Sequence, residues 1–326
     1  MENESFFTSQ EEFEEARTKV QELTGWDIAE AKVSAGSRNI TYVFSESVKP
    51  SVIRITPAWV KPVKVVYSEL LFMDYLREHI HTICNPVPFR NKLINVIHIG
   101  ENDYYVVVTR KANGISPEGK AFADPEVFTA YGRKLGELHA ASAQSAREGF
   151  HFQRPDWLEA PGFTFEKPIE GAPFVIPEDV LEIMFRIRGR VEELPRTEQT
   201  FGMIHGDMSP INSFLDWDDV WFFDFDDSCY HYFMYDSCCF LIQAQKAALD
   251  AGAKFNPASL FREGYEKQFH LPEECWSQDY MQRFYNLRLA SGLWLMQQSK
   301  TRSHIEKDKM ISQYLFQVLR GMKDTI

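Results

Sequence analysis

Ile204-His205-Gly206-Asp207-Met208-Ser209-Pro210-Ile211-Asn212, followed closely by Trp221-Phe222-Phe223-Asp224-Phe225-Asp226-Asp227, decides the fold of this chain. The two segments place an Asp, an Asn five positions on, and a second Asp twelve positions beyond that. Magnesium-assisted phosphoryl transfer needs one carboxylate to orient a nucleophilic hydroxyl and oxygen ligands to hold Mg²⁺ against nucleotide phosphates. Asp207 fits the first role, and Asn212 and Asp224 fit the second. The apolar run Val220-Trp221-Phe222-Phe223 reads as a buried strand that delivers Asp224 at its end. Asp216-Trp217-Asp218-Asp219 supplies the turn before it. Asn212 and Asp224 are therefore expected at the two ends of a short hairpin, where they can converge on one ion.

Working outward, the 326 residues suffice for two lobes, each with a core. Hydrophobic residues make up 44% and charged residues 25%, the balance of a soluble globular protein. The 47 acidic side chains outnumber the 35 Lys and Arg, a net charge of −12 that argues against a nucleic-acid partner. A nucleotide is not excluded, because Mg²⁺ and a few local cations handle its phosphates. Five cysteines without a Cys-x-x-Cys spacing predict a reduced cytoplasmic protein and no structural zinc. Met1-Glu2-Asn3-Glu4 lacks the basic and apolar segments of a signal peptide, and no run of apolar residues is long enough to span a membrane.

The period of the apolar residues changes along the chain. A first helix is expected from Gln10 to Leu23, with a Ser9–Glu12 capping box, Phe13, Ala16, Val20 and Leu23 on one face, and Gly25 to end it. Ile40–Phe44 and Ser51–Ile55 read as strands joined by a turn around Val48-Lys49-Pro50. A helix follows over Val63–His79 with Val66, Leu70, Met73 and Leu76 inward. Strands are expected again at Val96–Ile99 and Tyr104–Val108. Asn113-Gly114-Ile115-Ser116-Pro117 then leads into a mainly helical remainder. Asp124-Pro125 opens a helix with a cap and a proline at its first position. Residues 149–176, rich in Pro, Gly and aromatics, are expected to be irregular. Helices are expected at 177–194, 236–250, 257–268, 277–298 and 303–322. Between the first strands, Ser34-Ala35-Gly36-Ser37-Arg38-Asn39 is a turn of small residues able to bend over phosphates and offer amide donors.

The set His205, Gly206, Asp207, Asn212, Asp224 and Asp236 resembles the signature of the aminoglycoside phosphotransferase and choline kinase superfamily, most closely its homoserine-kinase-like and stress-response-kinase-like bacterial members. The resemblance implies an α+β, two-lobed protein-kinase-like fold. Residues 1–112 would form a small antiparallel-sheet lobe with one main helix, preceded by an N-terminal helix. Residues 113–326 would form a larger, mainly helical lobe. It further implies ATP and Mg²⁺ as cofactors, Asp207 as the catalytic carboxylate, and Asn212 and Asp224 as metal ligands. Ser34, Gly36 and Ser37 match the family's phosphate-covering loop. Arg54 stands where kinase-like folds usually carry a phosphate-binding Lys, with Glu69 as its ion-pair partner. Thr109 and Lys111 border the adenine. His205 and His139 are expected as packed scaffold residues, and Asp236 as a brace for the catalytic loop from a helix start. Gly206 and Asp226 replace the Arg and Gly that protein kinases use for switching, so no activation-loop control is expected.

The implied reaction moves the γ-phosphate of ATP to a hydroxyl of a small molecule: an amino alcohol, an amino acid, a sugar or an aminoglycoside. Two alternatives stay open at this point, a protein Ser/Thr kinase of the same fold and a nucleotide-binding scaffold without transfer. The segment 151–168, with Arg154, Asp156, Trp157 and Glu159, either recognises the acceptor or packs. The sequence is equally open on ATP against GTP and on oligomeric state.

Overall fold

The computed structural model describes residues 10–35, 39–44, 51–166, 172, 174–217, 219–298 and 305–323. Those up to Asn113 form one compact unit and those from Gly114 another.

The first unit is built on a five-stranded antiparallel sheet. Its strands are β1 (Lys32–Ala35), β2 (Ile40–Val43), β3 (Ser51–Pro57), β4 (Asn95–Ile99) and β5 (Asn102–Arg110), ordered β1-β2-β3-β5-β4. Side chains alternate across a strand, so residues two apart share a face. Ile40, Tyr42, Ile53, Ile55, Ile97, Ile99, Tyr104, Val106 and Val108 line one face and are buried in a single cluster with Phe13, Ala16 and Val20 of helix α1 (Gln10–Thr24). Each buried aliphatic side chain of this kind contributes roughly 1.5–3 kcal/mol relative to an exposed one. The helix ends where Gly25 takes a φ of +71°. The expected cap at Ser9 and the turn at residues 48–50 lie outside the described residues.

The same alternation turns Arg54, between Ile53 and Ile55, to the opposite face. Helix α2 (Val63–His79) runs over the residues expected for it, and Val66, Leu70, Met73 and Leu76 are buried. Glu69 on that helix, only 1% exposed, receives Arg54.

The second unit is mainly helical. Helix α3 (Pro125–Arg147) starts as expected: the Asp124 carboxylate accepts from the Glu126 amide at 2.9 Å, and Pro125 occupies the first turn. Its buried stripe includes Phe128, Tyr131, Leu135 and Leu138. Helix α4 (Glu178–Glu192) is followed by two small antiparallel pairs. Strand β6 (Phe201–Ile204) pairs with β9 (Cys229–Tyr232), and β7 (Ser213–Asp216) with β8 (Asp219–Phe222). Helices α5 (Phe233–Asp250), α6 (Pro257–Glu266), α7 (Gln278–Gln298) and α8 (Ile305–Gly321) complete it. Tyr131 of α3 stacks on Phe240 of α5 with ring centroids 4.3 Å apart, locking α3 against the helix that carries Asp236. Helix α5 begins at Phe233, three residues earlier than expected, because β9 runs directly into it. The five cysteines are buried and unbridged. Among the described residues no helix is long and apolar enough to cross a membrane. The α+β expectation holds in both units: an antiparallel sheet with one main helix and a preceding helix, and a mainly helical remainder.

Candidate active site

Strand β6 carries the chain to His205, and the loop beyond it is fixed by a carboxylate from another element. Asp236, fully buried in the first turn of α5, accepts the backbone N–H of His205 at 2.8 Å and of Gly206 at 3.0 Å. A helix N-terminus favours a negative charge, so the position itself stabilises the carboxylate. His139 of α3 closes the same cluster, with Nε2 3.4 Å from Asp236 and Nδ1 2.7 Å from the Tyr265 hydroxyl. Burial holds the His139 pKa below the ordinary value, with Asp236 opposing the shift.

His205 is buried and both ring nitrogens are engaged. Nε2 lies 2.9 Å from the Phe223 carbonyl, which can only accept, so Nε2 carries the proton. Nδ1 then accepts from the Asp207 amide at 3.4 Å. The ring is a spacer between the loop and the strand end at Phe223. Gly206 takes a φ of +87°, and a Cβ there would stand 2.1 Å from the Asp227 carbonyl oxygen. Glycine is required twice over, by the left-handed backbone and by the close approach.

These constraints deliver Asp207 with its side chain 34% exposed. Asn212 donates its amide to the Asp207 carbonyl at 2.9 Å and to Oδ2 of the Asp207 carboxylate at 3.0 Å. The β7–β8 ladder continues one step past its strands, with the Phe223 amide donating to the Asn212 carbonyl at 3.2 Å. Asp224 is thus the residue immediately after the hairpin partner of Asn212. It is exposed and left-handed, with φ 65° and ψ 60°. Few residues other than glycine adopt this conformation, Asp and Asn most readily among them.

The turn after Asp224 is held from below. The buried Arg154 donates Nε to the Ser228 carbonyl at 2.7 Å and Nη2 to the Asp226 carbonyl at 2.6 Å. Asp156 pairs with Arg196, and Trp157 is wholly buried. Three of the residues that sequence alone left open between recognition and packing are therefore structural. A contact without any sequence signal completes the loop: Arg288, in the middle of α7, donates Nη2 to Oδ1 of Asp207 at 3.0 Å. A lone Arg between two leucines shows no spacing that would single it out.

In the sheet unit, Arg54 and Glu69 form a two-pronged pair at 2.7 and 2.9 Å. Ser34 is exposed on β1 opposite Thr41. Thr109 sits on β5 opposite Val52, and Lys111 follows the strand half-buried. Gly36 and Ser37 lie outside the described residues.

The donor chemistry fits a hard divalent cation. The Asn212 amide nitrogen is committed to Asp207, which leaves the amide oxygen as the acceptor, and Asp224 adds an exposed carboxylate. Among the described residues no three His, Cys, Asp or Glu side chains cluster to hold a metal. A divalent cation held by one or two protein oxygens of this kind completes its shell with water and phosphate oxygens.

A family model described as the phosphotransferase enzyme family matches residues 31–273. Amicoumacin kinase of Bacillus subtilis (strain 168) is 21% identical over 217 residues, which is 65% of this chain and 62% of that protein. The chain thus matches less than two thirds of this curated relative's length. Two solved structures superpose along nearly the whole chain. Amicoumacin kinase hAmiN in complex with AMP-PNP, Ca²⁺ and Ami gives a TM-score of 0.79 at 20% identity, covering 95% of this chain and 96% of that one. A microcompartment-associated aminopropanol kinase gives 0.72 at 18% identity, covering 96% and 98%. At such identities the likeness carries the fold, and the kinase-like fold expected from the sequence is the one found.

Proposed function

The chain belongs to the phosphotransferase enzyme family, and from that premise we propose that it moves the γ-phosphoryl group of ATP to a hydroxyl of a small molecule with the help of Mg²⁺. One observation supports this reading above the others: the Asp207 carboxylate is held by Asn212, and Asp224 follows the hairpin partner of Asn212.

In this reading Asp207 accepts a hydrogen bond from the acceptor hydroxyl and aims its oxygen at the γ-phosphorus. As the new P–O bond forms and the bond to the β-phosphate oxygen breaks, the hydroxyl proton passes to Asp207 and ADP leaves. Such proton transfer contributes about 10²–10⁴-fold, and positioning contributes much of the rest. Asn212 and Asp224 would hold the metal, which supplies charge neutralisation on the phosphate oxygens. Arg54 would hold phosphate oxygens while Glu69 fixes its fork; an Arg suits this role because it is always charged and grips two oxygens at once. Ser34, Gly36 and Ser37 would cover the phosphates, and Thr109 and Lys111 would border the base. His205 takes no part in proton transfer, since both of its nitrogens are spent on backbone.

Amino alcohols and amicoumacin-type antibiotics are candidate acceptors, because similar proteins are an aminopropanol kinase and amicoumacin kinases. The test is acceptor-dependent ADP release over a panel of amino alcohols, amino acids, sugars and aminoglycoside-type antibiotics, with Asp207→Ala as control. Turnover that persists in the control, or phosphate found only on protein Ser or Thr, would count against the assignment.

A further inference from the structure

Asp207 is gripped from two sides. Asn212 holds Oδ2, and Arg288 holds Oδ1 at 3.0 Å. Arg288 sits in mid-α7 with its side chain 21% exposed, beside the buried Tyr235, which immediately precedes Asp236. The loop is thus held at two places. Asp236 grips the backbone at residues 205 and 206, and Arg288 holds the side chain of residue 207. A loop held only by its backbone leaves the carboxylate free to rotate about χ1. A charge-assisted bond to a guanidinium restricts that freedom.

We propose that Arg288 is a positioning residue for phosphoryl transfer, one that keeps the Asp207 carboxylate fixed in the orientation from which it receives the acceptor hydroxyl. The proposal rests on Asp207 being the catalytic carboxylate. A carboxylate has about four lone-pair sites. Asn212 and Arg288 each take one, so one on each oxygen is left for the acceptor. The pairing sets which of them faces the substrate. Lysine would not reproduce this geometry, because its ammonium is a point charge on a flexible stem and lacks the planar guanidinium through which Arg288 meets Asp207.

The experiment compares wild type, Arg288→Met, Arg288→Lys and Arg288→Ala for kcat, the KM for ATP, and the response to added guanidinium ion. Arg288→Met is expected to lower kcat about a hundredfold, the usual cost of misplacing a catalytic group by about 1 Å. The KM for ATP should stay within about threefold, because the interaction acts on the reacting carboxylate and not on nucleotide binding. Millimolar guanidinium should restore at least tenfold of the lost kcat in Arg288→Ala and none in Arg288→Met, whose side chain fills the space. A kcat in Arg288→Met within threefold of wild type overturns the proposal, as does failure of guanidinium in Arg288→Ala. A crystal structure of Arg288→Met gives a readout that needs no acceptor. Asp207 should leave its present rotamer and its bond to Asn212. The same rotamer with that bond intact overturns the proposal whether or not an acceptor has been found. Wild-type protein inert on every acceptor would count against the phosphotransfer reading and leave this rotamer test standing.

Discussion

Replacing Gly206 by Ala isolates the contact on which the loop carrying Asp207 rests. The new Cβ would lie 2.1 Å from the Asp227 carbonyl oxygen and 2.7 Å from its carbon, where ordinary contact begins at 3.4 Å. The loop and the 225–228 turn must part by 3.4 − 2.1 = 1.3 Å. Neither can yield cheaply, since Asp236 holds one at 2.8 and 3.0 Å and Arg154 holds the other at 2.6 and 2.7 Å. Displacement of a catalytic group by about 1 Å costs about 10²-fold in rate, or roughly 2.7 kcal/mol at 1.36 kcal/mol per tenfold. The left-handed backbone adds about 1–2 kcal/mol to the folding cost for alanine. Gly252 provides the control: its φ is +79°, yet a Cβ there meets nothing within 4 Å. Gly252→Ala should therefore bear the backbone cost alone and keep its kcat. The assay is coupled ADP release alongside calorimetric melting of both variants. Wild-type kcat in Gly206→Ala, or equal losses of kcat in the two variants, would refute the reasoning.

Asp236→Asn keeps the shape but replaces one acceptor by an N–H donor facing the 205–206 amides. With about 1.5–3 kcal/mol for each hydrogen bond to a charged group, it should cost roughly 2–4 kcal/mol and lower the melting temperature by roughly 5–15 °C; an unchanged melting temperature would remove Asp236 as the brace. Arg54→Met leaves Glu69 buried without its guanidinium, and ATP affinity measured by calorimetry should fall about tenfold or more; retained affinity would assign Arg54 a purely structural role. Burial drives the pKa of His139 below its ordinary value, and burial with a contribution from Arg196 drives that of His231 well below. Both rings stay neutral in the folded chain while the unfolded chain takes up protons below about 6.5. Unfolding therefore binds protons, and stability falls as pH drops below 6.5, by up to about 1.4 kcal/mol per pH unit for each ring. Denaturant melts from pH 7 to pH 5 should show a shallower fall in His231→Phe than in wild type; parallel slopes would contradict the assignment.

What the sequence reveals here follows the range of the interactions. Helix α2 and the hairpin around Asp219 were legible because period and turn chemistry are local: Val66, Leu70, Met73 and Leu76 repeat at helical spacing, and Val220 and Phe222 alternate inward. The Arg54–Glu69 pair was also legible, since strand parity and one helix turn suffice to predict it once the family pattern is seen. The roles of Arg154 and Arg288 were not. Each meets its partner across more than seventy residues of chain, Arg154 at Ser228 and Arg288 at Asp207, and nothing near either residue differs from an ordinary surface arginine. The early start of α5 escaped for a related reason. Phe233, Met234 and Tyr235 have mixed helix and strand preferences, and it is the pairing of Tyr232 with Phe201 that ends the strand.

The span from Phe225 to Tyr235 carries four hydroxyl groups, on Ser228, Tyr230, Tyr232 and Tyr235. Three of these residues are at most 1% exposed, and the fourth, half-buried Tyr230, accepts the Phe152 amide at 3.1 Å through its hydroxyl oxygen. Ser228, Tyr232 and Tyr235 are therefore shielded from solvent in the folded chain. A modification at those three hydroxyls would need this segment to open locally first.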